Sequence, residues 1–372
     1  MIKIFEVSPP KTIMENPGSH HNYFGWPTVA RLKNGRIAVG ASGNRLAHVC
    51  PFGRALFSFS DDEGETFTAP AAVIDTVLDD RDAGLCPFGD SGLIVTSFNN
   101  TREVQRTYNK VHPRSDYFDE RTPSMVDYVE SYLKTVTDEE EAAVLGSTFR
   151  VSFDNGMHFG PLRISPVTSP HGPCELRNGK ILWLGTDYAT HSHIMAYDLD
   201  PVSGRMTLLG EIDTASALAD RDHKLCEPYA FEVREGYILA LLRADSASDF
   251  TTYESHSEDG GRTWSKPVQI LSRADGAPSH IMRHSSGVLV AVFGHRARPF
   301  GIKVILSADE GKTWQESEYL VEYPEGTPFA ADSGYPSTVE LRDGSLLTVY
   351  YSHVDSAAAV VRAVNWRLEI TD

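Results

Sequence analysis

Ser257-Glu-Asp259-Gly-Gly261-Arg-Thr263-Trp264 and Ser307-Ala-Asp309-Glu-Gly311-Lys-Thr313-Trp314 are copies of one pattern, and a third copy runs through Ser60, Asp62, Gly64, Thr66 and Phe67. A fourth, Ser152, Asp154, Gly156 and Phe159, has His158 where the others have Thr. An Asp that bonds backbone N–H groups, a Gly that relieves the bend and an aromatic packed beneath them describe a hairpin turn. Because each copy follows its own apolar hairpin, the Asp residues are expected to brace turns and not to converge on a metal.

Outward from these turns lie six alternating apolar runs, each broken by a polar turn ending in Gly. They are TVARLKNGRIAVGA around Gly35, LCPFGDSGLIVTSF around Gly92, CELRNGKILWLG around Gly179, AFEVREGYILALLR around Gly236, HIMRHSSGVLVAVFG around Gly287 and TVELRDGSLLTVYY around Gly344. Each reads as a β-hairpin whose turn glycine takes a positive φ. Six such hairpins, with the outer strands carried by the Asp turns, predict six four-stranded sheets, and a radial arrangement leaves only short, protected edges. The expectation is an all-β, six-bladed β-propeller forming one domain over residues 1–372, a length beyond the ~250–300 residues at which single cores stop growing. Ile2 to Val7 and the C-terminal AVVRAVNWRLEI are predicted to share a blade and close the ring. A long interval near 100–148 contains SMVDYVESYLKTVTDEEEAAVLG, whose periodicity predicts a small helical insertion near 115–145. It is read as a peripheral decoration or a contact of a homo-oligomer in preference to a lid.

The formal charge of −17, from 51 acidic against 34 basic residues, makes the average surface repel nucleic acid and anionic membranes. An anionic substrate would therefore need a local cluster of Arg. Four widely spaced cysteines lack the C-x-x-C spacing of a zinc or redox site and are expected to be reduced and largely buried. Met1-Ile-Lys-Ile-Phe-Glu-Val has no apolar run of signal-peptide length, and no later stretch approaches a membrane span, so a cytoplasmic location without a membrane partner is expected. No cofactor and no metal ligand set are expected; His191-Ser-His193 alternates like two rings on one strand face, without an identifiable third ligand.

Loops entering the innermost strands of a propeller converge on its axis, so equal offsets from the hairpin glycines mark equivalent positions around one funnel. Nine residues before the glycines of hairpins one, four and six stand Trp26, Glu227 and Tyr335, and seven after the fourth stands Arg243. With its aspartate-box turns on a six-hairpin repeat, the chain resembles the sialidase (neuraminidase) superfamily over nearly its whole length. That resemblance implies an exo-acting glycoside hydrolase with a Tyr nucleophile activated by Glu, and arginines gripping a sugar carboxylate. The stretch from Glu227 to Arg243 is similar to the segment carrying the activating Glu and one such Arg. Gly334-Tyr335-Pro336-Ser337 is similar to the segment carrying the nucleophile, and Gly294-His-Arg296-Ala-Arg298 would supply a further Arg in Arg296. A phenol of pKa ~10 is neutral at pH 7 and needs a base during attack, while converging guanidinium groups orient a planar carboxylate.

The chain departs from that pattern in places. Gly25-Trp26-Pro27 stands where the family has Arg-Ile-Pro, and the loop Leu46-Ala-His48-Val-Cys-Pro after Arg45 lacks the expected acid/base Asp. Arg45 is retained as a substrate contact. His48 is a replacement proton donor by its pKa of ~6.5. Asp80-Arg81-Asp82 and Asp220-Arg221-Asp222 precede hairpins two and four, so Arg81 and Arg221 are expected to restore anion recognition and Asp82 to supply an acid/base, with ion pairs bracing the blades as the other reading. Trp26 suits stacking against a sugar ring. His280 belongs to a set of loop histidines, with 20, 21, 171, 191, 193, 295 and 353, fitted to a polar sugar pocket or a metal site. The partner is expected to be a carbohydrate ending in an acidic sugar. Two other classes remain open here, an eliminating or atypical glycosidase acting at a uronic acid or rhamnose-linked unit, and a propeller that binds glycans without cleaving them.

Overall fold

The second strand of each hairpin is apolar on both faces: Ile37–Arg45, Tyr237–Asp245, Leu289–His295 and Leu346–Ser352 are buried along almost their entire length. Such strands must have sheet on both sides, which a ring of stacked sheets provides. A computed structural model describes residues 2–111, 123–215, 224–245, 250–272, 274–356 and 358–370 and has that architecture, a six-bladed β-propeller. Blade one orders Tyr23–Arg31, Ile37–Arg45, Arg54–Ser60 and Ala71–Ile74, and blade two Leu85–Phe88, Gly92–Phe98, Ser147–Ser152 and Arg163–Ser165. In blade three, Val167–Thr168 and Cys174–Glu175 both pair with Ile181–Asp187, followed by Ile194–Leu199 and Met206–Ile212. Blade four runs Lys224–Arg234, Tyr237–Asp245, Thr251–Ser257 and Val268–Gln269, and blade five Asp275–Arg283, Leu289–His295, Gly301–Ser307 and Glu318–Glu322. Blade six contains Gly334–Glu340, Leu346–Ser352 and Val360–Ile370, and its outer edge is Ile2–Phe5, paired antiparallel with Ile2 opposite Ile370. Both ends of the chain thus share one sheet, as the sequence predicts.

The apolar core lies between blades. Val288, Val290 and Val292 of blade five meet Leu346, Val364 and Trp366 of blade six in one buried cluster. The glycines of the Ser-Asp-Gly turns lie close against side chains of the preceding blade, Gly64 against Leu347, Gly156 against Phe59, Gly261 against Leu182 and Gly311 against Leu239. In the turn at Ser307, the Ser hydroxyl donates to Asp309 Oδ1 at 2.8 Å, Gly311 N–H donates back to the Ser oxygen at 2.9 Å, and Thr313 donates to Asp309 through N–H at 2.9 Å and hydroxyl at 2.6 Å. At the fourth copy His158 takes over the Thr contact, its Nδ1 lying 2.7 Å from Asp154. A side chain on Gly311 would run into Leu239 of blade four, so glycine is required there for close approach as well as for its φ of 83°.

Hairpin two departs from expectation. Its positive φ belongs to Gly89, while Gly92 begins the second strand opposite Phe88, whose ring occupies the space a side chain at 92 would need. The insertion forms helices at Arg102–Val111, Pro123–Leu133 and Asp138–Val144, the first starting earlier than the apolar periodicity indicates because its sequence is mostly polar. It is docked on the blade-one loop after Arg45. Phe52 packs on Tyr128 at 5.1 Å and Tyr132 at 4.8 Å, and Tyr108 stacks on His48 at 6.1 Å. Cys50 and Cys86 are buried, Cys174 and Cys226 half-buried, and all four are free thiols.

Candidate active site

Three inner strands begin with the same irregularity. Gly25 and Thr28 pair with Ser42 and Gly40, Cys226 and Tyr229 with Arg243 and Leu241, and Gly334 and Ser337 with Tyr351 and Val349. In each, two residues face one, a β-bulge whose second member is Pro27, Pro228 or Pro336 and so has no N–H to offer the ladder. The first members, Trp26, Glu227 and Tyr335, take φ of 55°, 47° and 49°, and Asp82 at the head of blade two's inner strand takes 55°. Left-handed backbone in non-glycine residues is uncommon and strained, and it gathers where side chains are aimed at a ligand.

Tyr335 and Glu227 meet across the axis. The Tyr335 hydroxyl donates to Glu227 Oε1 at 2.6 Å, while Arg243 Nη1 donates to Glu227 Oε2 at 2.5 Å and to the Tyr335 oxygen at 3.2 Å. Burial, followed by the Glu227 charge, pushes the phenol well above its ordinary range, so it carries its proton at neutral pH and has a carboxylate in hydrogen-bond contact to receive it. Arg243 Nη2 reaches Asp245 at 3.2 Å. Arg296 lies beside this group, its guanidinium 5.8 Å from the Tyr335 ring centroid and donating to the Ser333 carbonyl at 3.2 Å. Phe250, which nothing in the repeat pattern marks, lies beneath both guanidiniums, at 5.1 Å from Arg243 and 5.5 Å from Arg296.

Asp82 shares the electrostatics of this group. It is 6% exposed, with no hydrogen bond among the described residues, and burial drives its carboxyl up to about 7 against the pull of Arg81. Its triplet partner Asp80 differs: Thr76 donates to it through N–H at 2.6 Å and hydroxyl at 2.9 Å, which makes it a brace. Arg81 lies at the funnel but is mostly occupied, donating through Nη1 to the His48 carbonyl at 2.5 Å and packing 4.2 Å over the Trp26 ring. Arg221, with Asp220 and Asp222, lies outside the described residues.

Four expectations are corrected. Arg45 has no exposure; it pairs with the equally buried Asp79 at 2.5 Å and donates to Ser42 at 2.7 Å and to the His48 carbonyl at 2.8 Å, so it holds the blade-one loop and offers substrate nothing. His48 is not placed as a proton donor. Its Nδ1 faces Asp332 at 3.4 Å and its Nε2 faces Arg81 Nη2 at 3.2 Å, an arrangement that assigns the ring proton to Nδ1 and the Nε2 lone pair to Arg81. Burial holds this imidazole below its usual pKa and hence neutral, with Asp332 pulling the other way. Trp26 is only 2% exposed, covered by Arg81 and, at 4.9 Å, by Arg45, so it has no free face for a sugar. His280 is buried one pleat deeper, stacked on Tyr229 at 4.6 Å with its ring 5.3 Å from that of His171, so it packs among aromatic rings.

The remaining histidines do not form one cluster. His193 pairs with Glu211 at 2.5 Å, and His191 sits in a turn with φ of 53°, away from any strand face shared with it. Sequence reading missed Asp332, which accepts from Tyr23 at 2.7 Å, Tyr351 at 2.8 Å and His353 at 3.2 Å, and ties the aromatic floor of Tyr23, Trp26, Tyr335 and Tyr351 to the His48 loop. The X-Pro pair shared by residues 26–27, 227–228 and 335–336 was the available signal for the bulges; no comparable signal marks Asp332.

A six-bladed propeller with a Tyr–Glu–Arg group on its axis defines the class of sialidase-like propellers. The chain belongs to the family of BNR repeat-like domains, whose sequence profile matches residues 135–348. No curated protein matches it by sequence. Among solved structures it is similar over 100% of its length to 99% of a protein of unknown function from Dyadobacter fermentans, with 19% identity and a TM-score of 0.72. The NanB sialidase from Streptococcus pneumoniae matches over 97% of this chain and 71% of its own, at 12% identity and a TM-score of 0.66. An α-L-arabinofuranosidase from Fusarium graminearum matches over 96% and 97%, at 11% identity and a TM-score of 0.57.

Proposed function

We propose that the chain is an exo-acting glycoside hydrolase that releases a terminal acidic monosaccharide from a glycan. The observation that carries this reading is the 2.6 Å hydrogen bond from the Tyr335 hydroxyl to Glu227, bridged by Arg243. In the proposed reaction the Tyr335 oxygen attacks the anomeric carbon as its proton passes to Glu227, and Asp82 protonates the departing glycosidic oxygen. Water, deprotonated by Asp82, then releases the sugar from Tyr335, and the phenol regains its proton from Glu227. Arg296 is the arginine best fitted to take the substrate carboxylate, because only one of its guanidinium donors is engaged among the described residues. Tyr as nucleophile suits an anionic sugar, since a neutral phenol approaching a carboxylate-bearing anomeric centre avoids the repulsion a carboxylate nucleophile would meet.

The withdrawal of Arg45 and the presence of Trp26 in place of an arginine leave fewer cations than a sialidase funnel has, which supports a second reading, a propeller that binds an acidic glycan without cleaving it. A panel of chromogenic glycosides of acidic sugars, including sialic acid and its deaminated analogue, separates the two. Release of chromophore by the wild type and its loss in Tyr335→Phe support the hydrolase; binding of the panel without product supports the second reading.

A further inference from the structure

Between blades five and six, on the face that carries the funnel, the segments 298–300 and 322–330 enclose a cleft of about 310 Å³. Both segments are connections of the kind that hold the site: the first follows the strand ending at His295, and the second leads into the strand that begins with Gly334 and Tyr335. The floor is apolar and aromatic. Tyr323 and Ala330 belong to the buried core and Phe300 packs against it. The Tyr323 residue is 4% exposed, yet its hydroxyl has no hydrogen bond of normal length among the described residues, the neighbouring Ser333 hydroxyl being turned to the Ala330 carbonyl at 2.7 Å. A buried polar group left unpaired is costly and marks a place where a ligand atom would be favoured.

The rim supplies further hydrogen-bonding groups. The side chains of Arg298, Glu322 and Glu325 line the cleft, and none has an ion pair or side-chain hydrogen bond among the described residues. Two carboxylates against one guanidinium disfavour an anion, so the cleft is unsuited to the acidic unit assigned to the funnel. An aromatic floor with carboxylates and a hydroxyl above it matches a neutral pyranose, whose C–H face packs on a ring and whose vicinal hydroxyls donate to carboxylates. The two sites adjoin: Ser333 lies beside Tyr323 and accepts from Arg296, which lies over Tyr335.

We propose that this cleft is a second carbohydrate subsite that binds a neutral hexopyranose unit of the same glycan whose acidic end enters the funnel. Its designation as part of the same glycan rests on the hydrolase reading; its capacity to bind neutral sugar does not. The test is saturation-transfer NMR on the Tyr335→Phe protein with methyl β-galactoside, methyl α-glucoside, N-acetylglucosamine and lactose as neutral probes and glucuronate as the acidic one. Transfer to at least one neutral probe is expected, weakened about threefold to tenfold by Tyr323→Phe, which keeps the ring, and abolished by Thr327→Trp, which fills the cleft. Glucuronate binding is expected to be unchanged in both. The subsite is overturned if no neutral probe shows transfer, or if transfer survives Thr327→Trp in protein whose circular dichroism matches the parent. Because no turnover is read, absence of hydrolysis on every glycoside would sink the hydrolase reading while leaving this result intact.

Discussion

Tyr335 and Glu227 stand on the inner strands of blades six and four, each the first residue of a bulge, and their side chains close on one another at 2.6 Å. The 108-residue separation makes this a purely tertiary contact, and Arg243 touches both partners. Tyr335→Phe keeps the ring in its aromatic floor and removes the attacking oxygen, so turnover of the best acidic glycoside should fall by about a thousandfold or more. Glu227→Gln should lower kcat by about 10²–10⁴, the usual worth of a general base. Retained turnover in Tyr335→Phe would end the covalent scheme.

Asp82, raised to about 7, sets a pH dependence with a definite sign. As the acid of the first step it must be protonated, so activity should fall as pH rises through about 7, and Asp82→Asn should abolish that alkaline limb together with most activity. Stability follows the same group. Its folded pKa lies above the unfolded value of ~3.9, so its contribution is intact below about pH 4 and is lost as pH rises through about 7. Asp82→Asn should therefore gain stability on the wild type at pH 8 relative to pH 4, on the order of 1 kcal/mol or more in urea unfolding. An equal difference at the two pH values would contradict the raised carboxyl.

Arg45 and Arg296 should separate cleanly. Arg45→Met takes the nearer guanidinium from the buried Asp79, leaving it Arg81 at 3.4 Å and the Cys50 N–H at 3.0 Å, and should cost about 3 kcal/mol of stability by denaturant titration. Arg296→Ala should leave the unfolding midpoint nearly unchanged and lower kcat/KM by about 10–100-fold, the loss of a charge-assisted contact of about 1.5–3 kcal/mol. If Arg45→Met were as stable as the wild type and Arg296→Ala unfolded, the assignment of the two roles would be reversed.

The turn aspartates carry an acid limit on stability. Hydrogen bonds from Thr66 and Thr313 hold Asp62 and Asp309 at about 2, below their unfolded values, so the stability they supply is present above about pH 4 and is lost as pH falls through about 2. The double variant Asp62→Asn, Asp309→Asn should lower Tm at pH 7 and narrow its gap to the wild type by pH 2. A gap that stays constant with pH would show that these carboxylates act only as neutral acceptors.

Sequence alone determined the blades, their number and the axis-facing positions. Turn chemistry and strand alternation are local, and the same offsets recur in hairpins one, four and six, so Trp26, Glu227 and Tyr335 were identifiable as equivalent without coordinates. Which of those side chains remains free to act was decided only by tertiary structure. Arg45 and Arg296 look alike in sequence, yet Asp79, Ser42 and the His48 carbonyl consume the first guanidinium, while the second makes its one side-chain hydrogen bond among the described residues to the Ser333 carbonyl. His48 is silenced by Asp332 and Arg81, and Trp26 by two guanidiniums. The physical reason is that hydrogen-bond capacity is finite, and the groups that exhaust it come from other blades, at sequence distances no local pattern encodes.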